Sequence, residues 1–241
     1  MMQVGFKTDK GKKRHRNEDS LFVMPQESIY IVADGVGGQN SGELASSMAV
    51  KLIAEYIKAK PLDTNDAKEL RSYFLDCMNH ANQGIYRAAR ISAENAGMAT
   101  TIVLLHLNNE NAYIVNVGDS RAYICRDGRI SQITEDHTYV NELVKDGSIT
   151  KAQAEFHPQK NMITRALGGE EKVLPDFYRM EVKKKDIIIL CTDGLYGDVP
   201  AEETRGMIAA SDSMSALSSS LVQRANRNGG NDNITVICLK I

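Results

Sequence analysis

Residues 29–38 read IYIVADGVGG, an apolar run that ends in an aspartate and then in glycines. The β-branched run predicts a buried strand, and the glycines predict a turn into the next element. Aspartates also flank three other apolar runs, in the stretches VNVGD (115–119), ILCTDG (189–194) and GGNDNIT (229–235). These aspartates are Asp34, Asp119, Asp193 and Asp232, and we expect them to meet at one edge of a sheet.

Each of these aspartates, taken alone, is more simply interpreted as a turn residue. Their recurrence changes that interpretation, because two unit charges 4 Å apart repel by about 4 kcal/mol near a protein surface. A cluster of four therefore needs cations. Carboxylate and carbonyl oxygens suit Mg²⁺ and Mn²⁺, whereas the five dispersed histidines and the absence of paired cysteines disfavour zinc.

The bulk composition excludes several classes of function. The 241 residues are 42% hydrophobic and 25% charged, which is typical of a globular domain with one core. A net charge of -2 provides no global attraction for nucleic acid or anionic lipid. No apolar stretch approaches the roughly 20 residues of a membrane span. The N-terminus runs from apolar to basic, the reverse of a signal peptide, so we expect a cytoplasmic protein with four reduced, mostly buried cysteines.

The hydrophobic pattern predicts a layered α+β fold in one domain. Predicted strands are 29–33, 100–107, 111–117, 121–125, 186–191 and 233–241, and predicted helices are 41–59, 67–94 and about 201–227. Residues 136–167 contain short helical pieces and predict an insertion that lies over the surface, near a site.

The charged segment RHRNED at residues 14–19 is either a solvated loop or part of a site. As part of a site, Arg14 would grip phosphate oxygens while Glu18 and Asp19 hold metal-bound waters. The glycine-rich stretch 35–40 lacks the last glycine of a nucleotide loop, so its glycines are expected to offer the Gly35 carbonyl as a ligand. Asn40 or Ser41 is expected to cap the next helix. His137 and His157 are interpreted as structural histidines.

Together these motifs resemble the metal-dependent protein phosphatase (PPM) family, the type 2C serine/threonine phosphatases, in its compact bacterial form. The resemblance covers almost the whole chain. Its parts are RHRNED (14–19), ADGVGG (33–38), TT (100–101), VGDSR (117–121), TRALG (164–168), TDGL (192–195) and DNIT (232–235).

The resemblance implies an αββα four-layer sandwich, with two antiparallel sheets flanked by helices, in a single domain 1–241 whose flap is the insertion at 136–167. It implies hydrolysis of phosphoserine and phosphothreonine in proteins by a water that bridges two Mn²⁺ or Mg²⁺ ions, with a third, weaker ion. Asp34 would bridge both ions, the Gly35 carbonyl would bind one, and Asp193 and Asp232 the other. Glu18 and Asp19 would act through waters, Asp119 would share the third ion with Asp193, and Arg14 would hold the phosphate. Arg14, Asp34 and Asp193 are thus the predicted catalytic residues.

The partners implied are phosphorylated proteins, including a eukaryotic-type serine/threonine kinase and its substrates, with no nucleic acid and no membrane, and the chain is expected to be a monomer. Val36 and Gln39 stand where relatives have histidines, so the proton donor is unassigned and a metal-bound water is preferred. Ala99 replaces a usual glycine, with little expected effect. Two alternatives stay open: an inactive relative that binds phosphorylated partners, and a hydrolase of small phosphorylated metabolites.

Overall fold

The computed structural model describes residues 2–38, 41–108 and 110–241, and these form two antiparallel sheets between two helical layers. The first sheet has the order β1-β11-β10-β7-β8 and the second the order β2-β3-β5-β6-β9, with a short β4 paired to β3. The strands are β1 (Gln3–Asp9), β2 (Asp19–Met24), β3 (Ile29–Val36), β4 (Ala99–Thr100), β5 (Ile102–Asn108), β6 (Asn111–Val117), β7 (Arg121–Arg126), β8 (Arg129–Gln132), β9 (Asp176–Glu181), β10 (Ile187–Cys191) and β11 (Ile234–Lys240).

The helices are α1 (Ser41–Ala59), α2 (Ala67–Ile91), α3 (Tyr139–Lys145), α4 (Lys151–Glu155), α5 (Asp193–Tyr196), α6 (Ala201–Ala210) and α7 (Met214–Asn228). Helices α1 and α2 cover the outer face of the second sheet, and α7 packs on β1 and β11 of the first. The predicted αββα sandwich is therefore confirmed. None of the described helices is both long and apolar enough to cross a membrane.

Strand β3 shows why the central runs are apolar at successive positions. Tyr30 and Val32 point into the core between the sheets, whereas Ile29 and Ile31 point into the core beneath α1 and α2. All four side chains are fully buried. A strand that is buried on both faces cannot alternate between apolar and polar residues, so its sequence reads as a continuous apolar run.

Several predicted boundaries were wrong. The run 100–107 is interrupted at Thr101, whose N–H donates to the Asp34 carbonyl rather than to a continuous ladder. The region 201–227 is two helices, since Ser213 caps a new helix and accepts from Ala216 N–H. The helix predicted to reach residue 94 ends at Ile91. Strand β9 was missed because it lies at a sheet edge and has charged residues at three of its six positions.

The segment predicted to be a surface insertion lies between β8 and β9 and contains the short helices α3 and α4. A bridge between Thr138 and Ile163 connects the residues before α3 with those after α4, and a bridge between Thr100 and Leu167 attaches the segment to β4. The four cysteines are buried and free, as expected from their positions in apolar runs.

Candidate metal centre

Residues from seven separate segments line one cavity of about 310 Å³ at the edge of the sandwich. The segments are the loop before β2, the end of β3, the junction between β4 and β5, the loop after β6, the start of α5, the loop before β11 and the insertion. The lining includes most of the predicted site residues, namely Arg14, Glu18, Asp34, Gly35, Asp119, Asp193 and Asp232, together with Val36, Gly37, Thr101, Asn161, Ile163 and Asn233.

Strand pairing fixes the relation between Asp19 and Asp34, which lie directly opposite each other in the β2–β3 ladder. Asp34 has a firmly held backbone: its N–H donates to Thr101 Oγ1 at 2.9 Å, and its carbonyl accepts from Thr101 N–H at 2.8 Å. Its side chain lines the cavity. Burial, and then the charges of Asp19 and Asp193, raise the pKa of Asp34 well above its ordinary value.

Asp19 lies behind this cavity and is only 7% exposed. Its Oδ2 accepts a hydrogen bond from Thr192 Oγ1 at 2.8 Å, whereas its Oδ1 is buried without a partner among the described residues. Burial raises the pKa of Asp19 to about 7 despite the hydrogen bond from Thr192. A carboxylate with one orphaned oxygen is suited to a water or cation in front of it.

Asp193 and Asp119 complete the acidic cluster. Asp193 is the first residue of α5, and its Oδ1 is likewise buried without a partner in the described part of the chain. Burial, and then the charge of Asp232, raise the pKa of Asp193 to about 6. Burial, and then the charge of Asp193, raise the pKa of Asp119 to about 7. The fold therefore concentrates negative charge that it does not itself neutralise.

Arg14 is the cation that contacts this cluster. Its guanidinium donates to Asp232 Oδ2 at 2.6 Å, and its side chain is about half exposed. Within the described residues, no three acidic, histidine or cysteine side chains already enclose a point where an ion could sit. Asp232 in particular is turned toward Arg14. The donor set still fits divalent cations, because the orphaned oxygens of Asp19 and Asp193 are hard ligands and Gly35 lines the cavity together with Asp193.

Three residues with no role predicted from the sequence hold the site together: Gly42, and Gly194 and Asn233, which were named only as members of motifs. A Cβ on Gly42 would lie 2.8 Å from the Gly35 carbonyl oxygen and 2.9 Å from the Glu18 carboxylate, so only glycine fits between them. A Cβ on Gly194 would lie 2.0 Å from the Asn233 carbonyl oxygen. The Asn233 side chain accepts from Glu18 N–H at 2.8 Å and so ties β11 to the loop before β2. These residues are required by close packing between segments that are distant along the chain, and the sequence does not show which segments touch.

The two histidines of the insertion lie away from the cavity lining. His137 is 3% exposed, accepts from Gly118 N–H at Nδ1 and meets Asp176 at Nε2. Burial lowers the pKa of His137, and its hydrogen bond from Gly118 N–H makes the ring a structural link between the insertion and the loop that carries Asp119. His157 accepts from Gln159 N–H within a local turn.

The expected helix cap is only partly described. Ser41 is the first residue of α1, and its hydroxyl donates to the Glu94 carbonyl at 2.7 Å instead of capping the helix. Asn40 and Gln39 lie outside the described residues.

Comparison with known proteins adds independent information. Residues 9–235 match the family described as Protein phosphatase 2C. The chain is 37% identical to the serine/threonine phosphatase stp of Listeria welshimeri, over 99% of this chain and 96% of that protein. A Streptococcus agalactiae serine/threonine phosphatase structure superposes with a TM-score of 0.94 at 32% identity, over 100% of both chains. The catalytic domain of the serine threonine protein phosphatase PstP in complex with two manganese ions superposes with a TM-score of 0.86 at 30% identity, over 99% of this chain and 97% of that one.

Proposed function

The chain belongs to the protein phosphatase 2C family and is a metal-dependent protein serine/threonine phosphatase, and from this premise we propose which residues perform the reaction. Asp34, the Gly35 carbonyl, Asp193 and Asp232 hold two Mn²⁺ or Mg²⁺ ions, with Glu18 and Asp19 acting through waters. Asp119 and Asp193 share a third ion. The observation that supports this assignment most strongly is the convergence of Asp34, Asp119, Asp193 and Asp232 from four separate segments on one cavity, where Oδ1 of Asp193 is buried without a partner among the described residues.

Bound divalent cations supply a nucleophilic water at neutral pH and neutralise charge that develops on the phosphoryl oxygens. The chain's own residues set where this occurs. The β2–β3 register sets Asp34 opposite Asp19, and two hydrogen bonds with Thr101 hold its backbone. Asp19 stands behind the cavity with one oxygen fixed by Thr192 and the other available.

Arg14 binds and orients the substrate phosphate in this proposal. A guanidinium can donate two parallel hydrogen bonds to phosphate oxygens. In the structure Arg14 donates to Asp232, so substrate binding would replace the Asp232 carboxylate with the phosphate as the partner of the guanidinium. Because the Arg14 side chain is about half exposed, it can change partner without disturbing the core. Of the residues that the structure describes, no histidine lines the cavity, so proton transfer to the leaving oxygen falls to water.

The insertion 136–167 acts as a flap in the proposed single catalytic domain, because Asn161 and Ile163 line the same cavity as the aspartates. The substrates include those of an opposing eukaryotic-type serine/threonine kinase and the kinase itself. The monomeric state and the cytoplasmic location expected from the sequence belong to the same proposal, and light scattering and cell fractionation test them.

The deciding experiment measures phosphate release with added Mn²⁺ from three substrates: a phosphothreonine protein, small phosphorylated metabolites and a chromogenic aryl phosphate. We expect rapid, chelator-sensitive release from the protein and the aryl phosphate. Preference for metabolites would favour the small-molecule alternative, and release from none would favour an inactive phosphoprotein-binding relative.

A further inference from the structure

The loop between β1 and β2 concentrates positive charge at the rim of the cavity. Residues 10–16 read KGKKRHR, with five Lys or Arg residues and no acidic residue, in a chain whose net charge is -2. Lys12, Lys13 and Arg16 are exposed. The loop reaches the cavity itself, because Arg14 lines it.

Most cations of this loop have no acidic partner in the part of the fold that the structure describes, which is common for exposed lysines and arginines, but these lie beside the cavity. Elsewhere Arg121, Arg126 and Arg165 each pair with an aspartate, and Lys145 pairs with Glu135. In the loop, only Arg14 has an acidic partner within 4 Å among the described residues. Asp9 lies at the base of the loop, but its Oδ1 accepts from Gly11 N–H and from Asn226. The positive charge of Lys12, Lys13 and Arg16 is therefore directed at solvent.

The loop backbone is fixed rather than loose. Lys12 N–H and Lys13 N–H both donate to the Gly230 carbonyl, at 2.8 and 3.1 Å. The Asn233 side chain donates to the carbonyls of Lys10 and Arg16, at 2.9 and 2.7 Å, and so holds both ends of the loop beside Asp232. Gly11 has a φ of 75°, and a Cβ there would lie 2.1 Å from the Asp232 carbonyl oxygen. The backbone that carries these cations is thus held beside the site.

We propose that this basic loop selects phosphorylated segments that carry further negative charge, as acidic or additional phosphorylated side chains, two to four residues from the phosphate to be removed. The inference rests on the proposed function, because it assumes that a phosphorylated residue enters the cavity at Arg14. Lys13 and Lys12 lie one and two residues from Arg14, within about 8 Å along the backbone. An extended peptide advances about 3.4 Å per residue, so flanking side chains two to four positions away come within their reach.

Charge at the rim of a binding site acts mainly on association and partner choice. Each exposed ion pair between the loop and a peptide contributes little alone, but several cations on one loop act together. Salt screens their attraction for the peptide. The expected signature is therefore a salt-sensitive ratio of kcat/KM values between acidic and neutral peptides, rather than a change in the chemical step.

The test uses three phosphothreonine peptides with neutral flanks, with glutamates two and three residues away, or with a second phosphothreonine at that distance. For the wild-type protein with Mn²⁺ we expect kcat/KM about tenfold higher for both charged peptides, with the preference falling as salt is raised from low to about 0.5 M. The double variant Lys12→Glu/Lys13→Glu should abolish or reverse the preference while hydrolysis of an aryl phosphate stays within about threefold.

The matched control is Lys183→Glu/Lys184→Glu, which makes the same charge change on two adjacent exposed lysines before β10, in the turn that follows β9. It should keep the full preference. A wild-type protein without preference, or a preference that survives in the Lys12/Lys13 variant, would overturn the inference. So would binding of the wild type to anionic phospholipid vesicles that is lost in this variant while the peptide ratio is unchanged, since the loop would then serve a membrane surface. No release from any substrate would instead refute the proposed function.

Discussion

Strand β10 has an aspartate at each end, and the two carboxylates are balanced in opposite ways. Asp186, before the strand, is 2% exposed and accepts from Arg126 at 2.9 and 2.5 Å and from Lys183 N–H at 2.7 Å. Burial alone would raise the pKa of Asp186, but these donors lower it below its ordinary value. Asp193, after the strand, has an orphaned oxygen and a pKa raised to about 6, first by burial and then by Asp232.

The difference separates a structural carboxylate from a functional one. At Asp186 the chain provides its own cation, Arg126, so the buried charge is complete within the fold. At Asp193 four aspartates share one cavity with a single arginine at its edge. A buried charge that the fold does not pair must be protonated or balanced from outside, and the second option is the one that makes a metal centre.

The largest expected effect is on turnover when Asp193 is neutralised. Asp193→Asn removes a ligand charge with little change in volume, so we expect Mn²⁺-dependent kcat to fall at least about 10³-fold, or about 4 kcal/mol. Unfolding of the metal-free variant should need at least as much denaturant as the wild type, because a repulsive charge is gone. Aryl phosphate hydrolysis and urea unfolding check both parts.

Asp34→Asn should behave in the same way, whereas Asp212→Asn, on an exposed turn between α6 and α7, is the matched control and should be silent. Near-normal rates in Asp193→Asn would remove that residue from the proposed ligand set.

Next in size is the loss of stability when the ion pair between Arg126 and Asp186 is broken. Asp186→Asn leaves Arg126 without its carboxylate partner, so we expect a loss of about 3 kcal/mol in the free energy of unfolding, since one partner of a largely buried pair is removed. The Mn²⁺ concentration for half-maximal activity should stay unchanged. A shift in that concentration with unaltered stability would contradict the distinction between the two ends of β10.

The same distinction explains how much the sequence could predict. Aspartates beside apolar runs pointed to Asp34, Asp119, Asp193 and Asp232, because strand ends are visible in the pattern, and the structure brings these four residues to one cavity. Asp19 and Arg14 were reached through a charged segment that the sequence alone equally allows as a solvated loop. Gly42 was missed, and Gly194 and Asn233 entered only as members of motifs, because their importance lies in contacts between segments that are distant along the chain. Strand β9 was missed for a similar reason, since its pairing with β6 outweighs its polar residues.

A smaller effect is expected at Arg14. Arg14→Ala removes phosphate binding and also frees Asp232, so we expect a 10- to 100-fold lower kcat/KM with most of the change in KM. Lower KM values for Mn²⁺ would accompany it if the guanidinium competes with cations for Asp232. Arg14→Lys retains the charge without the paired donors and should recover only part of the loss. Unchanged steady-state constants for Arg14→Ala would exclude the residue from the site.

The smallest expected effect is a difference in pH dependence between the two ends of β10 in metal-free protein. The folded pKa of Asp193 is raised to about 6, so the folded state binds more protons than the unfolded state from about pH 4 to 6. Stability is therefore lost as pH rises through this window. Asp186 has the opposite sign: its lowered pKa gives stability that is present above about pH 4 and lost as pH falls through its folded pKa.

Urea unfolding with a chelator from pH 3 to 8 measures both effects. The stability of Asp193→Asn should rise relative to the wild type as pH rises to 6. The stability of Asp186→Asn should fall relative to the wild type as pH rises through the acidic range, and the difference should then stay constant. Excess Mn²⁺ should reverse the wild-type slope, because cations bind the deprotonated carboxylates. Parallel curves for the wild type and both variants would mean that the two aspartates are balanced alike, and the contrast between them would fail.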